Sequence, residues 1–140
     1  MKKTLSVLLI GLMLMITLSA CSNKVTQYEF LHSKEEIEKV EIVFVDGYTS
    51  GVISNYTVKA EINNMDEFME KFEKILFSKY HIGDPTYISD EYAILLTYDN
   101  GDYEFISFYA QQFVKSGEAY FGMVYCDEEE FKTLINTYLE

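Results

Sequence analysis

Residues 91–110 read EYAILLTYD-NG-DYEFISFYA, two apolar runs joined by Asn100-Gly101. Asn-Gly between such runs predicts a β-hairpin with a two-residue type I′ turn, because both central residues there take positive φ. Such a turn sets the register. It pairs Tyr98 with Tyr103, Leu96 with Phe105, Ile94 with Ser107 and Tyr92 with Tyr109. On the opposite face it pairs Thr97 with Glu104, Leu95 with Ile106 and Ala93 with Phe108. Both faces are then apolar, whereas an antiparallel sheet with one wet face alternates apolar and polar. Either the chain covers both faces or one of them is an interaction surface. Tyr92, Tyr98, Tyr103 and Tyr109 share one face in this register and form the candidate interaction face. Tyrosine, apolar in its body and polar at its tip, suits recognition. It equally suits a core margin with the hydroxyls in water.

The segments around the hairpin supply the rest of a domain. Residues 40–46 (VEIVFVD) are rich in β-branched side chains and predict a strand. In residues 55–62, Tyr56, Val58, Ala60 and Ile62 alternate with Asn55, Thr57, Lys59 and Glu61, which predicts a half-buried strand. A loop at residues 47–51 would join the two. Ser33 and Glu36 have capping-box spacing and predict one helical turn. Asn64, three residues before Glu67, predicts the N-cap of a helix reaching about Ser78, with Met65, Phe68, Met69, Phe72, Ile75 and Leu76 on one stripe. Gly83-Asp84-Pro85 marks a connector. A loop at Lys115-Ser116-Gly117 leads to a strand at residues 119–125. Asp127 then caps a last helix with Phe131, Leu134, Ile135 and Tyr138 on its apolar stripe. The order β-β-α-β-β-β-α predicts a single α+β domain, a mostly antiparallel sheet with two helices on one face.

Charge and cysteine content narrow the function classes. The 140 residues carry 11 basic and 23 acidic side chains, a net −12. Such a surface repels a phosphate backbone, so no nucleic-acid partner is expected. Every basic residue is Lys, which argues against bidentate recognition of carboxylate or phosphate by guanidinium. Twelve Tyr and ten Phe supply apolar area that a disordered chain lacks.

The N-terminus reads as an address. Lys2 and Lys3 precede an apolar stretch at residues 5–18, too short to span a bilayer and the right length for a secretory signal. Leu18-Ser19-Ala20-Cys21 follows, which resembles the lipobox of bacterial lipoproteins. The resemblance implies a covalent diacylglycerol on the sulfur of Cys21 and cleavage before it. Residues 1–20 are then the signal peptide, 21–32 the lipidated Cys and a tether, and 33–140 the α+β domain. Two acyl chains hold a protein at a membrane stably where one does not. The implied location is the extracytoplasmic face of the cell membrane, with the membrane as a partner through the lipid. Cleavage removes Lys2 and Lys3 and no acid, so the net charge falls from −12 to −14. With Cys21 lipidated, Cys126 has no partner for an internal disulfide.

Catalytic signatures are missing from the sequence. His32 and His81 stand alone, outside any zinc-binding spacing, and read as loop histidines. Cys126 sits just before a predicted helix, which could lower its pKa, but reads as a small packed residue. Asp99-Asn100-Gly101-Asp102 lacks the frame of a calcium loop. No metal, no cofactor beyond the lipid and no enzymatic activity are expected. The leading expectation is a non-enzymatic protein-interaction or accessory module with a protein or cell-wall partner. One alternative is an inhibitor or immunity-type lipoprotein steered to a basic secreted enzyme or toxin. Another is a small-ligand receptor or sensor subunit. Cys21→Ser is expected to shift the chain from the membrane fraction to the soluble fraction and to abolish palmitate labelling, read by fractionation and radiolabelling.

Overall fold

A computed structural model describes residues 25–49, 52–80 and 88–139. Residues 1–20, read above as a signal peptide, lie outside the described residues, as do Cys21, His81 and Gly83-Asp84-Pro85. The β-branched run is longer than predicted and forms β2 (Ile37–Thr49), followed by β3 (Val52–Glu61). Before them lie β1 (Val25–Thr26) and a 3₁₀ turn at Lys34–Glu36, where the Ser33 N–H donates to the Glu36 carboxylate at 3.3 Å. After them come α1 (Met65–Phe72), β4 (Phe77–Tyr80), β5 (Glu91–Tyr98), β6 (Tyr103–Ile106), β7 (Ala110–Lys115), β8 (Glu118–Tyr125) and α2 (Glu128–Thr137). One eight-stranded sheet runs β1-β4-β8-β7-β6-β5-β2-β3, and every neighbouring pair is antiparallel. The α+β class is as predicted, with more strands than the order β-β-α-β-β-β-α contains.

Both helices pack on one face of the sheet. Phe68 and Phe72 of α1 join Phe131, Leu134 and Ile135 of α2 in a core with Val40, Ile42, Ile94, Leu96 and Tyr98. Asn64 and Asp127 cap the helices as predicted, accepting from the backbone N–H of Glu67 and Glu130. The pairs Glu67–Lys71 and Glu70–Lys74 close at 2.6 and 3.0 Å. However, α1 ends at Phe72 rather than near Ser78. Residues 77–80 instead extend and pair with β8, so a strand ladder distant in sequence overrides the helical stripe. Ile75 stays buried while Leu76 is 52% exposed. β1 in turn pairs with β4, and Tyr28 packs edge-on against Phe30, Phe72 and Phe77 at 5.1–5.5 Å. From Val25 onward, the stretch expected to be a tether belongs to the fold.

The central hairpin is shifted by one residue from the predicted register. Ile94 pairs with Ile106, Leu95 with Phe105, Leu96 with Glu104 and Thr97 with Tyr103. The Gly101 N–H donates to the Tyr98 carbonyl at 2.9 Å and the Tyr98 N–H to the Asp102 carbonyl at 2.9 Å. The loop therefore has three residues and ends on a left-handed glycine, φ +84°. Side-chain chemistry accompanies this choice: the Asp102 N–H donates to Asn100 Oδ1 at 2.8 Å. The two-residue loop with two positive φ values lies at Ser116 (+53°) and Gly117 (+83°), between paired Lys115 and Glu118. The second run also ends early, at Ile106. Ser107 turns the chain by hydrogen bonds with Ala110, where β7 starts, so residues 107–109 leave the predicted ladder.

The hairpin β2–β3 carries three register shifts. Between the pairs Ile42–Ala60 and Val43–Val58, Lys59 is left over as a bulge. The bulge divides the predicted stripe. Ala60 and Ile62 meet the helix-side core, while Tyr56 reaches the other face to contact Phe105 at 5.3 Å. Gly47, expected in a loop, lies in β2 beside the other two shifts. A second core of Val43, Val45, Ile53, Ile88, Ala93, Leu95, Phe105 and Ala110 is built on this opposite face without a helical residue.

Candidate functional site

The register shift separates the four tyrosines, so they do not share one face. Tyr98 points into the helix-side core and is fully buried. Tyr103 and Tyr109 pack against the second core on the opposite face. Tyr92 is 39% exposed beside Phe44, its ring 5.2 Å away. The slip moves Tyr103 to the face opposite Tyr98, because moving a pairing by one residue exchanges which cross-strand side chains face together, while Tyr109 lies beyond β6 in the turn before β7.

Tyr98 serves a buried carboxylate that the sequence reading passed over. Glu104, fully buried on β6, accepts hydrogen bonds from the hydroxyls of Tyr28 (2.8 Å) and Tyr98, from the Leu31 N–H (3.2 Å) and from Gln111 Nε2 (2.9 Å). All four donors are neutral. Burial, then the charge and hydrogen bond of Glu104, push both phenols well above the ordinary tyrosine range, so they stay protonated donors. The signal in the sequence was an acid flanked by Tyr103 and Phe105 in a strand apolar on both faces.

The predicted loop histidine His32 extends this polar group. Its Nε2 lies 2.7 Å from Asp102 Oδ2, and its ring meets Tyr98 edge-on at 4.9 Å. Asp102 Oδ1 accepts from the Ser116 N–H at 2.9 Å. The Ser116 N–H first, and then His32, hold the Asp102 carboxyl below its ordinary value. One carboxylate thus joins the β5–β6 turn, the β7–β8 turn and the N-terminal segment. Cys126 packs against the helix-side core. Burial first, and then the Asp127 and Glu130 charges, push its thiol up to about 12, the opposite of an activated nucleophile. Among the described residues, no group of three or more His, Cys, Asp or Glu could hold a metal ion.

The cavity with the character of a binding site lies between the start of β5 and α2. It encloses about 400 Å³ and is walled by Phe44, Tyr92, Phe108, Phe131 and Ile135. That volume is within the range of small-ligand sites, roughly 300–1,000 Å³. Asp90, Glu91, Glu128, Lys132 and Asn136 complete its lining. Glu128 and Lys132, one helical turn apart, pair at 2.5 Å. Asp90 holds a left-handed conformation, φ +55°, fixed by its N–H donating to the Val45 carbonyl at 2.8 Å. Glu91 accepts a hydrogen bond from the Tyr109 hydroxyl, while its Oε1 is buried with no hydrogen-bond partner. Burial is the main force raising Glu91 to about 7; Tyr109 opposes it and the Glu128 charge adds to it. Nothing local in the sequence announces this cleft, because its walls come from β2, β5, the turn after β6 and α2.

Comparison with protein-family models, with curated proteins and with solved structures finds no match to this chain.

Two outcomes follow from the buried acids. Tyr98→Phe removes one donor from a buried carboxylate and is expected to lower the unfolding free energy by about 1–3 kcal/mol, measured by denaturant titration. Glu91 keeps its proton to about 7 in the folded chain against an ordinary 4.5. The folded state therefore binds the extra proton between these values, and stability falls as pH rises through that window. Glu91→Gln, which resembles the protonated acid, is expected to raise the melting temperature at pH 8 and leave it nearly unchanged at pH 5.

Proposed function

We propose that this chain is a lipid-anchored extracytoplasmic lipoprotein acting as a non-enzymatic protein-interaction module. The lipobox-like Leu18-Ser19-Ala20-Cys21 supports the anchor, with diacylglycerol on Cys21 as its only covalent group. The observation that carries the interaction reading is β3. This strand of 10 residues closes one end of the sheet and, among the described residues, pairs only with β2. Residues 55–59 are exposed whichever face they occupy, with Tyr56 at 42% and Val58 at 47%. An open edge of this length is a template for an added strand. In such a complex, backbone hydrogen bonds give affinity and alternate side chains give choice of partner. The partner is then an extended segment of a neighbouring membrane or cell-wall protein.

A second reading rests on charge. The chain from Cys21 onward carries −14, and four consecutive exposed acids open α2, Asp127 to Glu130. A basic secreted enzyme or toxin would be steered to such a surface, and that association would weaken steeply with salt.

Crosslinked pull-down of the lipid-anchored chain from intact cells tests both. Val58→Lys alters an exposed edge position and is expected to abolish partner capture with an unchanged melting temperature. Capture that survives Val58→Lys but disappears at high salt would favour the charge reading instead.

A further inference from the structure

We propose that the cleft between the start of β5 and α2 binds a small organic cation, a protonated amine attached to an apolar or aromatic body. The walls define the body. Phe44, Tyr92, Phe108 and Phe131 place aromatic rings around about 400 Å³, and Ile135 adds an aliphatic surface. Ring faces carry negative quadrupole charge and attract ammonium groups. The polar lining defines the head. Three carboxylates, Asp90, Glu91 and Glu128, line the cleft with a single cation, Lys132. Lys132 is spent on Glu128 at 2.5 Å, and the Ser89 hydroxyl donates to Asp90 at 3.4 Å. Glu91 retains Oε1 buried and without a hydrogen-bond partner. The Glu91 side chain thus adds a carboxyl group to the lining with one oxygen not engaged by the protein, and a cation in the cleft would act on its charge.

Other ligand classes fit less well. An anion would meet the excess negative charge of the lining. A hard metal ion prefers six or more oxygen ligands, and among the described residues no three His, Cys, Asp or Glu, these three carboxylates included, are grouped so that they could hold one. The cleft is built on β2, β5 and α2 rather than on the outer edge of β3, so a cation in the cleft and a partner on that edge can be tested separately.

The titrating groups give the site a pH signature. Glu91 faces Tyr109 from the turn before β7, Glu128 and Lys132 from α2, and Asp90 beside it in the chain. Lys132 is held above its ordinary range by Glu128, and Tyr109 is pushed up by burial and by Glu91, so neither changes charge near neutrality. Glu91 does, at about 7. A cation pairs with its ionised form, so affinity is expected to rise about tenfold between pH 6 and pH 8.

The test is calorimetric titration of the full chain in detergent with 2-phenylethylammonium, alongside phenylacetate as the anion of similar shape. The expected result is binding of the cation at least about tenfold tighter than of the anion, with the stated rise in pH. Glu91→Gln is expected to weaken the cation about tenfold or more and to abolish the pH dependence. Its melting temperature at pH 5 verifies the fold. Tyr92→Ala, at a partly exposed wall position, is expected to weaken binding while leaving the pH dependence in place. Equal binding of phenylacetate, no detectable binding of the cation at millimolar concentration, or unchanged affinity in Glu91→Gln would each overturn the assignment.

Discussion

A carboxylate buried among neutral donors organises this fold. Taking Glu104 out of water costs several kcal/mol, and hydrogen bonds to a charged group return roughly 1.5–3 kcal/mol each. The cost is met only if the donors converge. Tyr98 and Gln111 come from the flanking strands, and Tyr28 and Leu31 come from the segment before β2. The N-terminal segment, β5, β6 and β7 must therefore all be in place together. His32 and Asp102 continue the same polar layer to two turns. The arrangement also sets the register of the central hairpin. Pairing Leu96 with Glu104 puts Tyr98 and Glu104 on the same face, whereas the register expected from a two-residue turn would set Glu104 on the opposite face from Tyr98.

The bulges in the β2–β3 hairpin supply the second constraint. Two helices cover one face of the sheet, and the opposite face holds a core without them. Bulges bend and twist a strand locally. Through the one at Lys59, Tyr56 changes sides and reaches past β2 and β5 to Phe105 on β6. The apolar character of both hairpin faces thus has a structural use, and the outer edge of β3 is left as a long exposed edge among the described residues. The same end of β2 brings Phe44 beside Tyr92, where β5 begins and α2 closes the cleft. The proposed partner edge and the proposed ligand cleft both depend on how this one hairpin departs from regularity.

Local chemistry explains which parts of the structure were legible in advance. The two helix starts depend on Asn64 and Asp127 and on backbone groups three residues away, so their spacing in sequence is their spacing in space. The β-branched run of β2 is equally local, whereas the loop expected around Lys115-Ser116-Gly117 is in fact the tight two-residue turn. The end of α1 was not legible, because residues 77–80 follow β8, some 45 residues away, rather than their own helical period. The hairpin register failed for a related reason. Asn-Gly permits a two-residue loop and also a three-residue loop ending on Gly101. The network around Asp102 and Glu104, whose members span residues 28–116, accompanies the second.

Sequence alone determined the α+β class, the helix caps and the acidic balance without arginine, since each depends on composition or on neighbours within a few residues. Tertiary structure decided which tyrosines are core and which are surface. It also decided that Glu104 is buried among neutral donors and that Glu91 stands at a cleft with one oxygen unpartnered. These properties belong to pairs of residues brought together across strands. A one-residue slip or a single bulge reverses the face a side chain occupies, and no local pattern encodes that choice.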